Sequence, residues 1–274
     1  MSNKQDLPNV KYTQVSTYFG RETSGSNAET WKVSLRGTPN SINAYIKFVH
    51  DFKQTITELA CSKVGRALGL NIPEAYLVYV DTNAFPENVK KQSSFAGKGA
   101  LLAFASASPA PNSMSFERLL SENNPMANKL FEAWKSLDDV IAFDEWIANP
   151  DRLDCNYLYS PAHNDFWLID HGNALTGDCM PHWALDKPEI ETYNTLFESV
   201  SHLKTHKEKY LMKNKADALM ERAKVIDFST LDAENYYKMI HGSADAAKIS
   251  EFLEKRINHS VKLLCQKMGI PQLI

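Results

Sequence analysis

The sequence predicts an α+β protein of two lobes, the first rich in strands and the second mainly helical. Residues 10–50 contain short runs of β-branched and aromatic residues, which favour strands. Beyond residue 112, apolar residues recur at helical spacing. The segment Ser106–Asn112 between them is rich in small residues and proline, as is typical of a linker. We therefore expect lobes at residues 1–105 and 106–274.

The first lobe is expected to contain five strands and one long helix. Residues Asp51–Leu68 carry apolar side chains at helical spacing, and Gly69 follows as a C-terminal cap. Asp81–Lys98 is polar and is expected to be a loop. The strands are predicted at Val10–Phe19, Trp31–Leu35, Ala44–Val49, Ala75–Val80 and Ala100–Ala105.

The second lobe is expected to be built from seven helices, three before the central motif described below and four after it. Asn173–Lys187, which contains Gly177 and Pro181, is expected to be an irregular loop that faces the substrate. The helices are predicted at Ser115–Ser121, Pro125–Ser136, Leu137–Ala148, Glu189–His202, His206–Lys224, Ala233–His241 and Asp245–Met268.

The net charge, the apolar runs and the cysteines of the chain limit the classes of protein to which it can belong. The net charge is −3 over 274 residues, a balance that does not indicate a nucleic-acid or membrane surface. No apolar run approaches the roughly 20 residues of a membrane span, and the polar N-terminus is unlike a signal peptide. The four cysteines are scattered without a CxxC pair, as expected for thiols in a reducing compartment. We expect a cytoplasmic protein that binds neither nucleic acid nor membrane directly.

The stretch Phe143–Gly172 carries three side chains that can act together. Asn149-Pro150 ends the preceding helix, because proline restricts the residue before it to extended conformations, so Asp151 lies on a loop. Asn156 and Asp170 flank two aromatic-rich segments separated by turn residues. A hairpin formed by those segments would bring Asn156 beside Asp170.

This order suits phosphoryl transfer from a magnesium–nucleotide complex. Such a reaction uses one carboxylate to orient the attacking hydroxyl and accept its proton, while an asparagine and a second carboxylate hold the metal. Protein kinases present Asp-x-x-x-x-Asn and then Asp-Phe-Gly, and here His171 replaces the phenylalanine. Each residue alone is more often structural, but the ordered set favours Asp151 as the catalytic carboxylate and Asn156 and Asp170 as metal ligands.

A lysine inside an apolar strand supplies the candidate phosphate contact. Lys47 must emerge at a sheet edge or be paired, and the next helix carries Glu58 off its apolar face. We predict that Glu58 holds Lys47 and that Lys47 contacts the phosphates. The alternatives are a solvent-facing edge lysine and a solvated helix charge.

Two further segments are candidates for nucleotide binding. The small-residue loop at residues 20–28, including Ser24, Gly25 and Ser26, lies between two strands, where backbone N–H groups could close over phosphates. It contains no GxGxxG, and ordinary hairpin loops share this composition. Ser24 and Ser26 are also hypothetical self-phosphorylation sites. Phe104 and Ala105 end the last strand of the lobe, where we expect the backbone to meet the adenine ring.

Together, four segments resemble the small HipA-like kinases and, more distantly, type II phosphatidylinositol 4-kinases. They are Tyr45–Phe48, Glu58–Pro73, Trp146–Asn156 and Ile169–Gly172. The resemblance spans roughly residues 40–175. It implies a protein-kinase-like fold, ATP and Mg²⁺ as cofactors, transfer to a hydroxyl of a protein Ser or Thr, and an antitoxin or regulatory partner. It also assigns Arg152 to steadying the catalytic loop or a phosphate.

Three alternatives stay open at this point. One is a catalytically silent, pseudokinase-like module that uses the same cleft for binding, although the intact motif residues argue against it. Another is a lipid or small-molecule kinase of the same fold. The third is a metal-dependent hydrolase built on His163, Asp165, Asp170 and His171, but this segment lacks a third, separated histidine or an HExxH pattern.

Overall fold

The computed structural model describes residues 4–22, 29–37, 39–122, 124–176, 183–240 and 243–271. The α+β architecture predicted from the sequence is confirmed, with strands concentrated before residue 108 and helices after it. The strands are β1 (Gln5–Asp6), β2 (Lys11–Arg21), β3 (Glu29–Leu35), β4 (Ile42–Phe48), β5 (Ala75–Asp81), β6 (Ala100–Ala107), β7 (Met114–Ser115), β8 (Tyr157–Ser160), β9 (Asp165–Leu168) and β10 (Ile226–Asp227). The helices are α1 (Phe52–Ala67), α2 (Glu87–Lys90), α3 (Phe116–Ser121), α4 (Ala127–Glu132), α5 (Leu137–Trp146), α6 (Thr195–Ser201), α7 (His206–Lys224), α8 (Tyr236–Met239) and α9 (Ser243–Met268).

The first lobe is a closed five-stranded barrel with the strand order β2-β3-β4-β6-β5. Strand β6 lies between β4 and β5 and is antiparallel to both, and this register places Phe104 opposite Lys47. Alternate side chains fill the barrel interior, as expected for strands with one buried face. Buried members of this interior are Trp31, Val33, Leu35, Ile46, Tyr76, Val78 and Ala105.

Helix α1 lies between the barrel and the second lobe. Asp51 caps its first turn by accepting a hydrogen bond from the Lys53 N–H at 2.9 Å. Gly69, at φ +77°, follows its end as predicted. Gly65 allows close packing, because a Cβ there would lie 2.9 Å from the Phe143 ring of α5. Residues 55–65 of the helix are all buried, so both lobes fix its position.

The second lobe packs α5, α7 and α9 against one another. Trp146 of α5 donates its indole N–H to the Leu253 carbonyl of α9 at 2.9 Å. A three-stranded sheet in the order β7-β8-β9 lies at the cleft and contains the predicted hairpin. Across the described ranges, no helix has the length and apolar composition needed to cross a membrane.

Several segments differ from the sequence prediction. The helices expected at Pro125–Ser136 and Ala233–His241 are limited to α4 and α8. The helix expected at Glu189–His202 is wrong for residues 189–194, since α6 begins at Thr195. Arg256 of α9 donates to the carbonyls of Pro188 at 2.7 Å and Ile190 at 2.8 Å, which holds this stretch outside a helix. Strand β6 continues two residues past the expected end, and the expected loop at residues 81–98 contains α2.

Candidate active site

A cavity of about 260 Å³ lies between the barrel and the second lobe. Among the residues predicted to form a site, Lys47, Glu58, Phe104, Asn156 and Asp170 line it. The first three come from β4, α1 and β6, and the last two flank the β8–β9 hairpin. Apolar side chains that also line the cavity are Ile72, Leu158 and Leu168. Both lobes therefore contribute polar groups to one space with apolar walls.

Lys47 is paired rather than solvated. Its Nζ lies 2.5 Å from Glu58 Oε1 and 2.7 Å from Asp170 Oδ1. Burial opposes the charge of Lys47, but the Asp170 and Glu58 carboxylates hold its pKa above the ordinary value. Burial would likewise raise the pKa of Glu58, yet Lys47 and His171 lower it to about 2. The predicted Lys47–Glu58 pair is therefore present, and Asp170 shares the same cation.

Glu58 also ties α1 to the turn that follows β9. Its Oε2 accepts the backbone N–H of His171 at 2.9 Å. The His171 ring is buried, which lowers its pKa. Its Nε2 has no hydrogen-bond partner among the described residues. This histidine thus lines the cavity as a neutral ring while its backbone fixes the glutamate.

The hairpin brings Asn156 and Asp170 together, as its spacing predicted. The Ile169 N–H donates to the Asn156 carbonyl at 3.0 Å. Asp170 has φ +58°, a left-handed conformation that costs energy in a residue with a Cβ and occurs often at functional sites. The turn directs this carboxylate into the cavity, where it meets Lys47.

The oxygen atoms of this pair suit magnesium. Asn156 Nδ2 donates to the Asp151 carbonyl at 2.6 Å, and its Oδ1 accepts a hydrogen bond from Cys155 Sγ at 3.3 Å. Because a thiol is a weak donor, this amide oxygen is still the atom of Asn156 that suits a cation. Within the described ranges, no group of three or more His, Cys, Asp or Glu side chains is placed to hold a metal. Mg²⁺ typically binds one or two protein oxygens together with substrate phosphates. Asn156 and Asp170 therefore fit a metal that arrives with a nucleotide.

Arg152 is fully engaged in the interior. Its Nε and Nη2 donate to the two carboxylate oxygens of Asp144 at 3.0 and 2.9 Å. Its Nη1 donates to the carbonyls of Asn156 at 3.1 Å and Ile169 at 2.7 Å. Because the guanidinium is buried and these donors are used, Arg152 holds the loop after α5 to the hairpin, and it does not line the cavity.

Asp151 lies on the loop after α5. It does not line the cavity, but its carbonyl accepts the amide N–H of Asn156, which does. Its backbone N–H donates to Asn149 Oδ1 at 3.1 Å, and its Oδ2 accepts a hydrogen bond from Asn173 Nδ2 at 2.7 Å. Burial raises the pKa of Asp151, and the Asn173 hydrogen bond opposes that shift. Asn173 was not predicted as a site residue, because nothing in its sequence position distinguishes it from the loop that it begins.

The remaining predicted residues lie elsewhere or outside the described structure. Phe104 and Ala105 are paired through their backbones with both β4 and β5, and only Phe104 lines the cavity. Ser24, Gly25 and Ser26 lie outside the described residues. The adenine and phosphate contacts assigned to these five residues stay predictions.

The histidines named for a hydrolase are not brought together. His163 Nδ1 lies 2.8 Å from Ser160 Oγ in the exposed β8–β9 turn. His171 is buried at the other end of the hairpin, where it lines the cavity. These positions do not form a hydrolase metal site.

Comparison with known proteins agrees with this geometry. The family model of the HipA-like kinases matches residues 45–224. In three dimensions the chain is similar to the proinflammatory kinase CtkA of Helicobacter pylori, with a TM-score of 0.51, 12% identity, and coverage of 95% of this chain and 98% of that one. No curated protein sequence matches the chain.

Two other solved structures are similar at lower scores. HipA of Shewanella oneidensis MR-1, from a complex with HipB and operator DNA, gives a TM-score of 0.46 at 12% identity, covering 92% of this chain and 68% of that one. The PAN3 pseudokinase of Neurospora crassa gives 0.37 at 11% identity, covering 98% and 67%.

The chain belongs to the HipA-like kinase family, and the resemblance found in the sequence is confirmed. The CtkA similarity supports the kinase-like fold. A kinase or pseudokinase-like function follows from the family, which in general uses ATP and a divalent metal.

Proposed function

We propose that this protein is an ATP- and Mg²⁺-dependent kinase that transfers the γ-phosphoryl group to a hydroxyl, on Ser or Thr of a protein. The observation that carries the proposal is the shared position of Lys47 Nζ, 2.5 Å from Glu58 and 2.7 Å from Asp170. A lysine held by a helix carboxylate and facing a metal-binding carboxylate is the arrangement that kinases require.

Each lining group has a role toward ATP. Lys47 contacts the phosphates and Glu58 keeps it in place. We place the adenine against the end of β6, beside Phe104 and Ala105, where Phe104 and Ser106 line the cavity. Asn156 and Asp170 hold Mg²⁺, which neutralises charge on the phosphates when it is bound.

Asp151 serves the acceptor. Its carboxylate orients the hydroxyl, and the acceptor oxygen forms a bond to the γ-phosphorus as the bond to the bridging oxygen of ADP breaks. The leaving oxygen keeps the electron pair, and the acceptor proton passes to Asp151 and then to solvent. The raised pKa of Asp151 favours this transfer, since a carboxylate of higher pKa is a stronger base.

The test is incubation with Mg²⁺ and ATP labelled at the γ-position, using casein as a Ser/Thr acceptor, followed by phosphoamino-acid analysis. We expect label on serine or threonine with the wild type and none with Asp151→Ala, although both bind Mg–ATP. Binding without transfer to casein by the wild type would contradict the Ser/Thr protein kinase and favour the pseudokinase-like module or the lipid or small-molecule kinase. An antitoxin or regulatory partner stays a prediction, which co-purification from the native source would test.

A further inference from the structure

The carboxylate of Asp151 is oriented from the segment that follows β9. Asn173 Nδ2 donates to Asp151 Oδ2 at 2.7 Å. Within the described ranges, Asn173 is the residue whose side chain donates a hydrogen bond to the Asp151 carboxylate. Since Oδ2 is occupied, Oδ1 is the oxygen that stays available to an acceptor.

The backbone around Asn173 is fixed on several sides. The Ala174 N–H donates to the His171 carbonyl at 2.9 Å, and Thr176 Oγ1 donates to the Asn173 carbonyl at 2.7 Å. The Leu175 N–H donates to the Ile147 carbonyl at 2.8 Å, which anchors the turn to the end of α5. Leu175 is fully buried at φ +65°, and such a conformation persists only where the surroundings impose it. The Asn173 amide is therefore presented by a rigid turn.

We propose that Asn173 is a positioning residue for phosphoryl transfer, which holds Asp151 so that one carboxylate oxygen faces the acceptor hydroxyl. This inference rests on the proposed kinase function. An amide suits the task, because it donates a hydrogen bond without carrying a charge and does not compete for the acceptor proton. Asn173 does not line the nucleotide cavity, so its contribution belongs to the transfer step rather than to ATP binding.

Its position also couples the two halves of the site. The same turn supplies Asp170 to the cavity, the His171 N–H to Glu58 and the Asn173 amide to Asp151. One six-residue segment, 170–175, therefore contacts both the Lys47–Glu58 pair and the Asp151 carboxylate and fixes their positions.

The experiment measures kcat and KM for Mg–ATP turnover, with water as the acceptor, together with the melting temperature of each variant. Asn173→Asp keeps the shape but removes the donor, Asn173→Ala removes the amide, and Asn173→Gln retains a donor on a longer side chain. Thr176→Val is the matched control, since it removes a hydrogen bond of the same turn without touching Asp151.

We expect Asn173→Ala and Asn173→Asp to lower kcat by about 10- to 100-fold, the usual effect of losing a group that orients a reacting residue. The KM for ATP should stay within about twofold in both, because binding does not use the amide. Asn173→Gln should recover part of the lost rate, and Thr176→Val should retain the wild-type kcat.

Wild-type kcat in both Asn173→Ala and Asn173→Asp would overturn the inference while leaving the kinase proposal intact. A fall in kcat that Thr176→Val reproduces, with an equal loss of melting temperature, would also overturn it, by showing a purely structural role. Absence of Mg–ATP turnover by the folded wild type would instead overturn the proposed kinase function, and the inference with it.

Discussion

Two clusters near the cavity each pair a basic side chain with a carboxylate, but they differ in burial and in how many of their groups can accept a ligand. In the arginine cluster, the side chains of Arg152 and Asp144 are both 0% exposed and joined by two hydrogen bonds, and Arg152 also donates to backbone carbonyls. In the lysine cluster, Lys47 is shared by Glu58 and Asp170, whose side chain is 27% exposed to the cleft. A saturated buried pair fixes a loop, whereas a shared, partly exposed cation can exchange a partner for a ligand.

Removing the arginine should give the largest loss of stability. Arg152→Leu leaves the Asp144 carboxylate buried without its cation, so we expect the free energy of unfolding to fall by about 3–5 kcal/mol. Urea denaturation monitored by tryptophan fluorescence measures this. Lys255→Ala, which removes an exposed helical pair with Glu251, is the control and should leave the urea midpoint unchanged. An equal shift in both variants would remove the distinction between saturated and exposed pairs.

Removing the lysine should lower the free energy of unfolding less than removing Arg152 does, and it should weaken nucleotide binding. In Lys47→Met, Glu58 still accepts the His171 N–H, and the Asp170 carboxylate becomes more accessible to water. We therefore expect the free energy of unfolding to fall by about 2–3 kcal/mol. Mg–ATP affinity should fall at least tenfold, because the phosphates lose their cation. Paired urea and calorimetric titrations separate the two effects. Unchanged affinity in a folded variant would place the phosphate contact elsewhere.

The smallest expected effect depends on pH. The folded-state pKa of Glu58 is lowered to about 2 from an ordinary 4.5. The charged form therefore stabilises the protein fully above about pH 4.5, and this contribution disappears as the pH falls toward 2. Glu58→Gln should lose about 1–2 kcal/mol at pH 7, and its deficit should shrink in acid. Urea curves at successive pH values test this, and a constant deficit would show that Glu58 does not titrate as the pair requires.

Much of the fold could be predicted because the signal is local. Helix α7 spans His206–Lys224 as expected, since Thr205 forms a capping box with Glu208. The Lys47–Glu58 pair followed from a charge that an apolar strand could not leave unpaired. The neighbouring positions of Asn156 and Asp170 followed from the pairing of two short strands as a hairpin.

The rest depends on contacts between residues distant in sequence. Strands β1 and β10 have two residues each and pair in parallel across more than 200 positions, which no local pattern indicates. Arg256 overrides the helical pattern before Thr195. Arg152 was assigned to a loop or to a phosphate, and its hydrogen bonds to Asp144 and to the Ile169 carbonyl, 17 positions later, distinguish the two. Asn173 likewise acquires a role only when the turn meets Asp151.

If the lysine cluster is a magnesium–nucleotide site, its affinity for ATP depends on Mg²⁺ through Asp170, and calorimetry measures this dependence. ATP is titrated into the wild type, Asp170→Asn and the control Asp154→Asn, each with Mg²⁺ and with EDTA. Asp154 lies on the same loop as Asp151 but does not line the cavity. We predict that Mg²⁺ strengthens binding at least tenfold in the wild type and the control and has little effect in Asp170→Asn. Equal magnesium dependence in all three proteins, or no binding by the folded wild type, would show that the lysine cluster is not a magnesium–nucleotide site.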